Sequence, residues 1–403
     1  MRLILSVFVF VVVTFFAVAV PRAGVHRSVQ RQICALVTEK FYRNDQQLSD
    51  WSTACSRRVD EISWWWSRAR FMREVQWLLD EFEVSHLMVY NPVEDRRLWR
   101  GEAVDTGIRS LSIDDRFVVW RVLDKSAAKS VGILAGDEVL EINHEKPRSN
   151  WRIQTAGGDF LLQRGDRKIH MLIDPKPLVV DRKPNLIEVA KGVAVLEISS
   201  FRSEYFLAES WRELTKDLAK YGKIIVDLRD NSGGNLIAML RALSPFICTE
   251  EQVGLLSHPR KGLPKGPPPA DTLDEMVQLQ LLEQYREIPL KTFSTYGCFN
   301  GPAVVLVDNG TSSVSEIFAH AMMSRPRTKV IGRPTAGDVV LATWYSLTML
   351  GPGYSLSIPE ALYLTTSGES LEGSGVWPHR ELDYELADAL AGKDSWILRA
   401  LEP

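Results

Sequence analysis

VLVDNGTSSVSEIFAHAM, Val305 to Met322, is the stretch on which the reading of the chain turns. An apolar strand stops at an Asn-Gly turn, and a run of small residues then opens a helix, the strand–turn–helix step of an α/β core. Ser313 falls at the helix N-terminus, where converging backbone donors and the helix dipole favour negative charge. The same placement is ordinary N-cap chemistry, so the segment alone leaves nucleophile and cap both open. Upstream, VDLRDNSGGN, Val226 to Asn235, ends an apolar strand in a charged turn and two glycines, Gly233 and Gly234. Adjacent glycines let the backbone approach a ligand and aim N–H groups at an oxyanion, although Asn-Ser-Gly-Gly is also a good turn. Downstream, TTSGESLEGSGVWPH, Thr365 to His379, sets the acid Glu372 between an apolar strand and a Gly-rich loop.

From Leu186 onward strands and helices alternate: Val193 to Ser199, a helix around Glu204 to Lys220, Lys223 to Leu228, a helix from Leu236, Ala303 to Val307, a helix from Ser313 to Met323, and Lys329 to Ile331. This rhythm predicts an α/β core over 179–403, broken at about 250–297 by HPRKGLPKGPPPA, His258 to Ala270, and a helix from Leu273 to Tyr285. The insertion reads as a spacer or a lid. Residues 93–178 form a β-rich module with strands at Phe117 to Leu123 and Glu138 to Ile142; residues 26–92 are helical, with Phe71, Val75, Leu78 and Leu79 at helical spacing. Val84 to Tyr90 is a short β-prone stretch.

The 403 residues carry 48 basic and 51 acidic side chains, net −3, which gives no electrostatic argument for a nucleic-acid partner. Residues 1–23 hold an uncharged run, Leu3 to Val20, that must meet a membrane, either as a cleaved export signal ending near Ala17-Val18-Ala19 or as an anchor. Arg22, Arg27 and Arg31 follow it and blunt the charge asymmetry that sets orientation. The chain is expected to be exported, periplasmic or secreted. The four cysteines include no C-x-x-C pair, so no metal is indicated; Cys34 with Cys55 and Cys248 with Cys298 are the simplest disulfides, with buried free thiols as the alternative.

The phrase SAAKSVGILAGDEVLEIN, Ser126 to Asn143, resembles the PDZ signature. The resemblance implies peptide binding at a sheet edge and a backbone loop for a terminal carboxylate, for which Asp105 to Ile108 is the candidate. In order, DLRDNSGG, NGTSSVSEIFAHAM, GRPTAG and SLEGSGVWP, preceded by the PDZ-like phrase, resemble the C-terminal processing (tail-specific, S41-type) serine peptidases. That resemblance covers the PDZ-like module and essentially all of the chain from Leu186. It implies a ClpP/crotonase-like core, Ser313 as nucleophile, no cofactor, and protein substrates presented by their C-termini.

One departure changes the implied mechanism. Where the commonest branch has its catalytic lysine, this chain has Asp338 in GRPTAGDV, Gly332 to Val339. A second branch, resembling the tricorn protease and the chlamydial protease-like activity factor, uses Ser, His and Glu instead. LLDEFEVSHLMVY, Leu78 to Tyr90, supplies Ser85 and His86, and Glu372 completes the set. By that resemblance His86 is the base for Ser313, Glu372 orients it directly or through Ser85, Glu316 supports the nucleophile turn, and Gly233 or Gly234 with Val314 forms the oxyanion hole. His320 is the rival histidine. A noncatalytic protein-binding relative and an apolar-ligand carrier on the same core are the alternative functions.

Overall fold

The computed structural model describes residues 22–180, 182–258 and 262–402. The expected signal or anchor segment therefore lies outside the described residues, apart from its last two. No helix among the described residues is long and apolar enough to cross a membrane. Contacts divide the chain into two interleaved units. One comprises 1–95, 254–290 and 338–373; the other comprises 96–253, 291–337 and 374–403.

The first unit opens with three helices, over 22–40, Gln46–Arg58 and Arg68–Leu79. Asp45 and Ser67 cap the second and third by accepting from the N–H groups of Leu48 and Arg70, as short polar side chains do at helix starts. Their apolar stripes bury Val29, Ile33, Val37, Trp51, Phe71, Val75 and Leu78 against Leu356 and Ile358. A Cys34–Cys55 disulfide joins the first two helices. Strand Met88–Tyr90 pairs antiparallel with Ser355–Leu364, Met88 opposite Ser357, and Val340–Ser346 also pairs with that long strand. The β-prone stretch from Val84 shortens to Met88–Tyr90 because Glu83 (φ 48°) and His86 (φ 59°) adopt left-handed backbone that no strand accommodates. Within the 250–297 insertion, Gln252–Ser257 and Glu287–Lys291 extend the same sheet, and the helix is Glu275–Gln284, capped by Asp274.

The second unit is built on a six-stranded sheet in the order Arg380–Glu381, Thr328–Gly332, Ala303–Val307, Lys223–Asp227, Val193–Glu197, Asn185–Ala190. All neighbours run parallel except the last pair. Every residue of Ala303–Val307 is buried, the continuous apolar run that a strand covered on both faces requires. Helices Ala208–Leu218, Leu236–Ile247 and Val314–Met323 form the crossovers, and Cys248–Cys298 is a disulfide.

The same unit carries the β-rich module, five antiparallel strands in sequence order: Ile108–Ile113, Arg116–Val122, Glu138–Ile142, Gly158–Arg164 and Arg167–Ile173. The first hairpin turns through Asp114 and Asp115, both at positive φ as a two-residue hairpin turn demands. Short helices Ala127–Ser130 and Asn150–Thr155 complete it around Ile108, Val119, Phe160 and Leu162. Arg121 ties the module to the parallel sheet through Glu197 (3.1 Å) and Asp227 (3.7 Å).

Candidate active site

Three loops leave the carboxyl ends of three adjacent parallel strands: 228–235 after Lys223–Asp227, 308–313 after Ala303–Val307, and 333–337 after Thr328–Gly332. That edge is where open α/β sheets hold ligands. Ser313 ends the middle loop at φ 61°, ψ −132°. An ordinary N-cap has extended backbone at negative φ, so Ser313, although it forms a capping box with Glu316, does so on a strained strand-to-helix turn. Such strain costs on the order of 1–3 kcal/mol and persists only where the surroundings impose it.

Those surroundings can be named. The Ser313 N–H donates to Glu316 Oε2 (2.9 Å), while Glu316 Oε1 accepts from Thr335 Oγ1 (2.5 Å) and the Gly337 N–H (2.8 Å). Glu316, wholly buried, thus pins the Ser313 turn to the Thr335 loop. On the other side the Ser312 N–H donates to Asn231 O (3.0 Å), Thr311 Oγ1 to Leu228 O (2.9 Å), and the Asp230 N–H to Asp308 Oδ1 (3.0 Å). Gly233, at φ 97°, lies so close that a Cβ there would stand 2.7 Å from Ser313 Cβ.

Of the two glycines expected as alternative oxyanion donors, one is engaged internally. The Gly233 N–H already donates to Asn231 Oδ1 (2.9 Å), and the buried Asn231 amide is itself fixed by donating to Ile198 O (2.8 Å). Gly233 therefore gives the serine clearance with its own N–H engaged, while Gly234 and Val314 are the other members of the expected set. His320 lies on the last turn of the helix Val314–Met323, seven residues from Ser313 and about 10 Å along the axis at 1.5 Å per residue. It is out of reach as a base for Ser313.

In the first unit, Ser85, His86 and Glu372 form one hydrogen-bonded chain. Ser85 Oγ lies 2.9 Å from His86 Nδ1 and donates to Glu372 Oε2 (3.1 Å). Glu372 is held in turn by the Ser85 N–H on Oε1 (2.8 Å) and the Val339 N–H on Oε2 (2.6 Å). Proton bookkeeping fixes the tautomer. An ionised carboxylate only accepts, so the serine proton goes to Glu372, and Ser85 Oγ must accept from a protonated Nδ1. Nε2 then carries the lone pair. Ser357 Oγ donates to the His86 carbonyl and fixes the backbone of this left-handed residue. Burial lowers the imidazole pKa below its ordinary value, while the charges of Asp338 and Glu372 pull it upward. Asp338 thus acts on His86 through its charge, which raises the imidazole pKa against the effect of burial.

The sequence reading missed the residues that hold these groups: Thr335 and Gly337 for Glu316, Asn231 for Gly233, Val339 for Glu372. Their only sequence signal is membership in the GRPTAG and DNSGG phrases.

In the candidate carboxylate loop of the β-rich module the backbone donors have internal partners. The Thr106 N–H donates to Gln154 O (2.8 Å), that of Gly107 to Asp105 Oδ1 (2.6 Å), and that of Ile108 to Thr106 Oγ1 (3.1 Å). Asp105 to Ile108 therefore offers no uncommitted run of donors. Ser110 Oγ meets Asn150 Oδ1 at 3.0 Å, a link between the edge strand Ile108–Ile113 and the helix Asn150–Thr155.

Comparison with known proteins adds the following. Residues 192–382 match the model of peptidase family S41. A carboxy-terminal-processing protease of Bartonella bacilliformis is 23% identical over 317 residues, 73% of this chain; the chain spans 65% of that protease's length. The photosystem II D1 C-terminal processing protease superposes with a TM-score of 0.53 at 15% identity, covering 92% of this chain and 98% of the other. Mature CPAF gives 0.54 at 13% identity, covering 93% and 96%. These structural likenesses concern the fold.

Proposed function

Because residues 192–382 match the model of peptidase family S41, we propose that the protein is a serine endopeptidase working through Ser313, His86 and Glu372. The observation that carries this reading is the Glu372–Ser85–His86 chain, which leaves Nε2 of a neutral imidazole able to take a proton. In the reaction, Nε2 accepts the proton of the Ser313 hydroxyl as Oγ attacks a peptide carbonyl. The imidazolium that forms donates from Nδ1 to Ser85 Oγ, which passes the stabilisation on to Glu372. Negative charge on the substrate oxygen is met by the N–H groups of Gly234 and Val314, with the helix Val314–Met323 contributing its positive end. The imidazolium then protonates the leaving amine. Water, activated by the same nitrogen, releases the acyl group and restores Ser313.

Protein substrates follow from this chemistry, and the β-rich module is read as PDZ-like. Recognition of free C-termini requires the Asp105–Ile108 loop to exchange its internal partners for the carboxylate. The segment Leu3 to Val20 is read as directing the chain across or into a membrane.

The test is cleavage of an unstructured polypeptide with an apolar C-terminus, its free and amidated forms compared, alongside Ser313→Ala and His86→Ala and with fluorophosphonate labelling. Cleavage and labelling should require both residues. Unchanged cleavage in either variant rejects the triad, and no labelling of the wild type favours the noncatalytic binding role. Equal rates on free and amidated substrate reject C-terminal recognition alone.

A further inference from the structure

The helical part of the first unit displays tryptophan where a water-facing surface would not. Trp64, Trp65 and Trp77 are 43%, 53% and 64% exposed. Their neighbours are cationic: the Arg70 guanidinium lies 4.4 Å from the Trp65 ring and 5.1 Å from that of Trp66, and Arg58 lies 5.1 Å from Trp77. Positions 70 and 77 are seven residues apart on the helix Arg68–Leu79 and share one face. The opposite side is committed to the core through Phe71, Val75, Leu78 and Leu79. Over 57–74 there are five arginines, Arg57, Arg58, Arg68, Arg70 and Arg73, against Asp60, Glu61 and Glu74. Glu74 pairs with Arg70 at 3.5 Å.

The chain itself indicates what covers this face. The first turns of the helix over 22–40 meet the residues that flank the tryptophan turn: the His26 ring stacks on Phe71 (centroids 4.5 Å, planes 1° apart), and Arg27 Nη2 donates to Ile62 O (3.0 Å). In sequence only Pro21 separates that helix from the uncharged run Leu3 to Val20, and the helix meets the chain on either side of Trp64 and Trp65, at Ile62 and at Phe71. Tryptophan, apolar in body with a polar N–H, concentrates at the level of lipid headgroups, and arginine reaches from such a surface to phosphate oxygens.

We infer that Trp64, Trp65 and Trp77, with Arg58 and Arg70, form a docking face for the headgroup–acyl boundary of a phospholipid bilayer. The inference rests on the membrane reading of Leu3 to Val20 and is independent of the peptidase chemistry. The face holds the first unit against the surface that its leading segment meets.

The apolar run contains no tryptophan, so indole fluorescence reports on the folded part alone. Full-length protein is mixed with phosphatidylcholine/phosphatidylglycerol vesicles whose acyl chains are brominated, and its emission is compared with that on unbrominated vesicles. The wild type should be quenched. A Trp64→Ser/Trp65→Ser/Trp77→Ser variant should lose most of that quenching, while Trp151→Ser, altering an exposed tryptophan of the other unit, keeps it. Fluorophosphonate labelling and the circular dichroism spectrum of the triple variant verify that it is folded; a single Trp77→Ser, with a partial loss expected, serves if it is not. Quenching equal in wild type and variant overturns the inference. So does an unquenched wild type that still floats with the vesicles, the result a protein partner for this face would give, and one that leaves the membrane reading of the leading segment intact.

Discussion

Replacing Ser85 by Ala removes one oxygen and breaks the link between Glu372 and His86. The carboxylate keeps its bonds from the Ser85 and Val339 N–H groups, so the backbone here and the position of Glu372 should survive. The imidazole loses the acceptor that fixes Nδ1–H. A hydrogen bond to a group that becomes charged is worth about 1.5–3 kcal/mol, and each 1.36 kcal/mol of barrier is tenfold in rate. The expected loss in kcat is therefore about 10- to 150-fold, with KM little changed because Ser85 acts through His86. Loss of the relay also removes a source of imidazolium stabilisation, so the acid limb of the kcat profile should move to lower pH. Ser85→Thr, which retains the hydroxyl, should recover part of the rate. Steady-state cleavage of a fluorogenic peptide between pH 4 and 9 reads all three effects. A Ser85→Ala protein within about twofold of wild-type kcat would falsify the relay and with it the tautomer assigned to His86.

Three further outcomes are expected. Gly233→Ala places a Cβ 2.7 Å from Ser313 Cβ at φ 97°, and the displaced serine should react with fluorophosphonate at least about 100-fold more slowly; labelling at the wild-type rate would show that the clearance is not needed. Asp338→Asn removes a charge that raises the His86 pKa, so the neutral imidazole persists to lower pH and the acid limb shifts down; a shift upward, or none, contradicts the assignment. Asp308, pushed up to about 6 by burial and by Asp230, exceeds the 3.8 of a free carboxyl. The folded state therefore binds this proton more tightly, and its stabilising effect is complete below about pH 4 and lost as pH rises through 6. Asp308→Asn keeps an acceptor oxygen without the charge and should raise stability at pH 7.5 by about 1–3 kcal/mol, the gain vanishing near pH 4 in urea unfolding.

The parallel sheet could be read from sequence because its strands are continuous apolar runs and each is followed by a turn phrase of distinctive chemistry, as at Ala303–Val307 and Lys223–Asp227. The helix expected from Leu273 to Tyr285 runs over Glu275–Gln284, its start set by the Asp274 cap. The strand after His86 was not legible in this way, since β-propensity from Val84 to Tyr90 gives no sign that Glu83 and His86 turn left-handed. Nor was the interleaving of the two units: Met88 opposite Ser357 and Ser85 beside Glu372 are pairings across most of the chain, and periodicity is a local signal. The side-chain types of the candidate site could be proposed from motifs and the resemblance. Which N–H groups are spent internally, at Gly233 and in the Asp105–Ile108 loop, depends on partners that only the folded chain reveals.

Ser85 and Glu372 are 287 residues apart in the chain. At about 5–20 residues per second on the ribosome, roughly 15 to 60 seconds pass between the synthesis of the imidazole segment and that of the carboxylate that completes its proton relay. A nascent chain thus carries its histidine without the Glu372 relay for that interval. Under the proposed mechanism the gap between the two segments is a delay: no relay to the imidazole exists before the segment that carries Glu372 has been made.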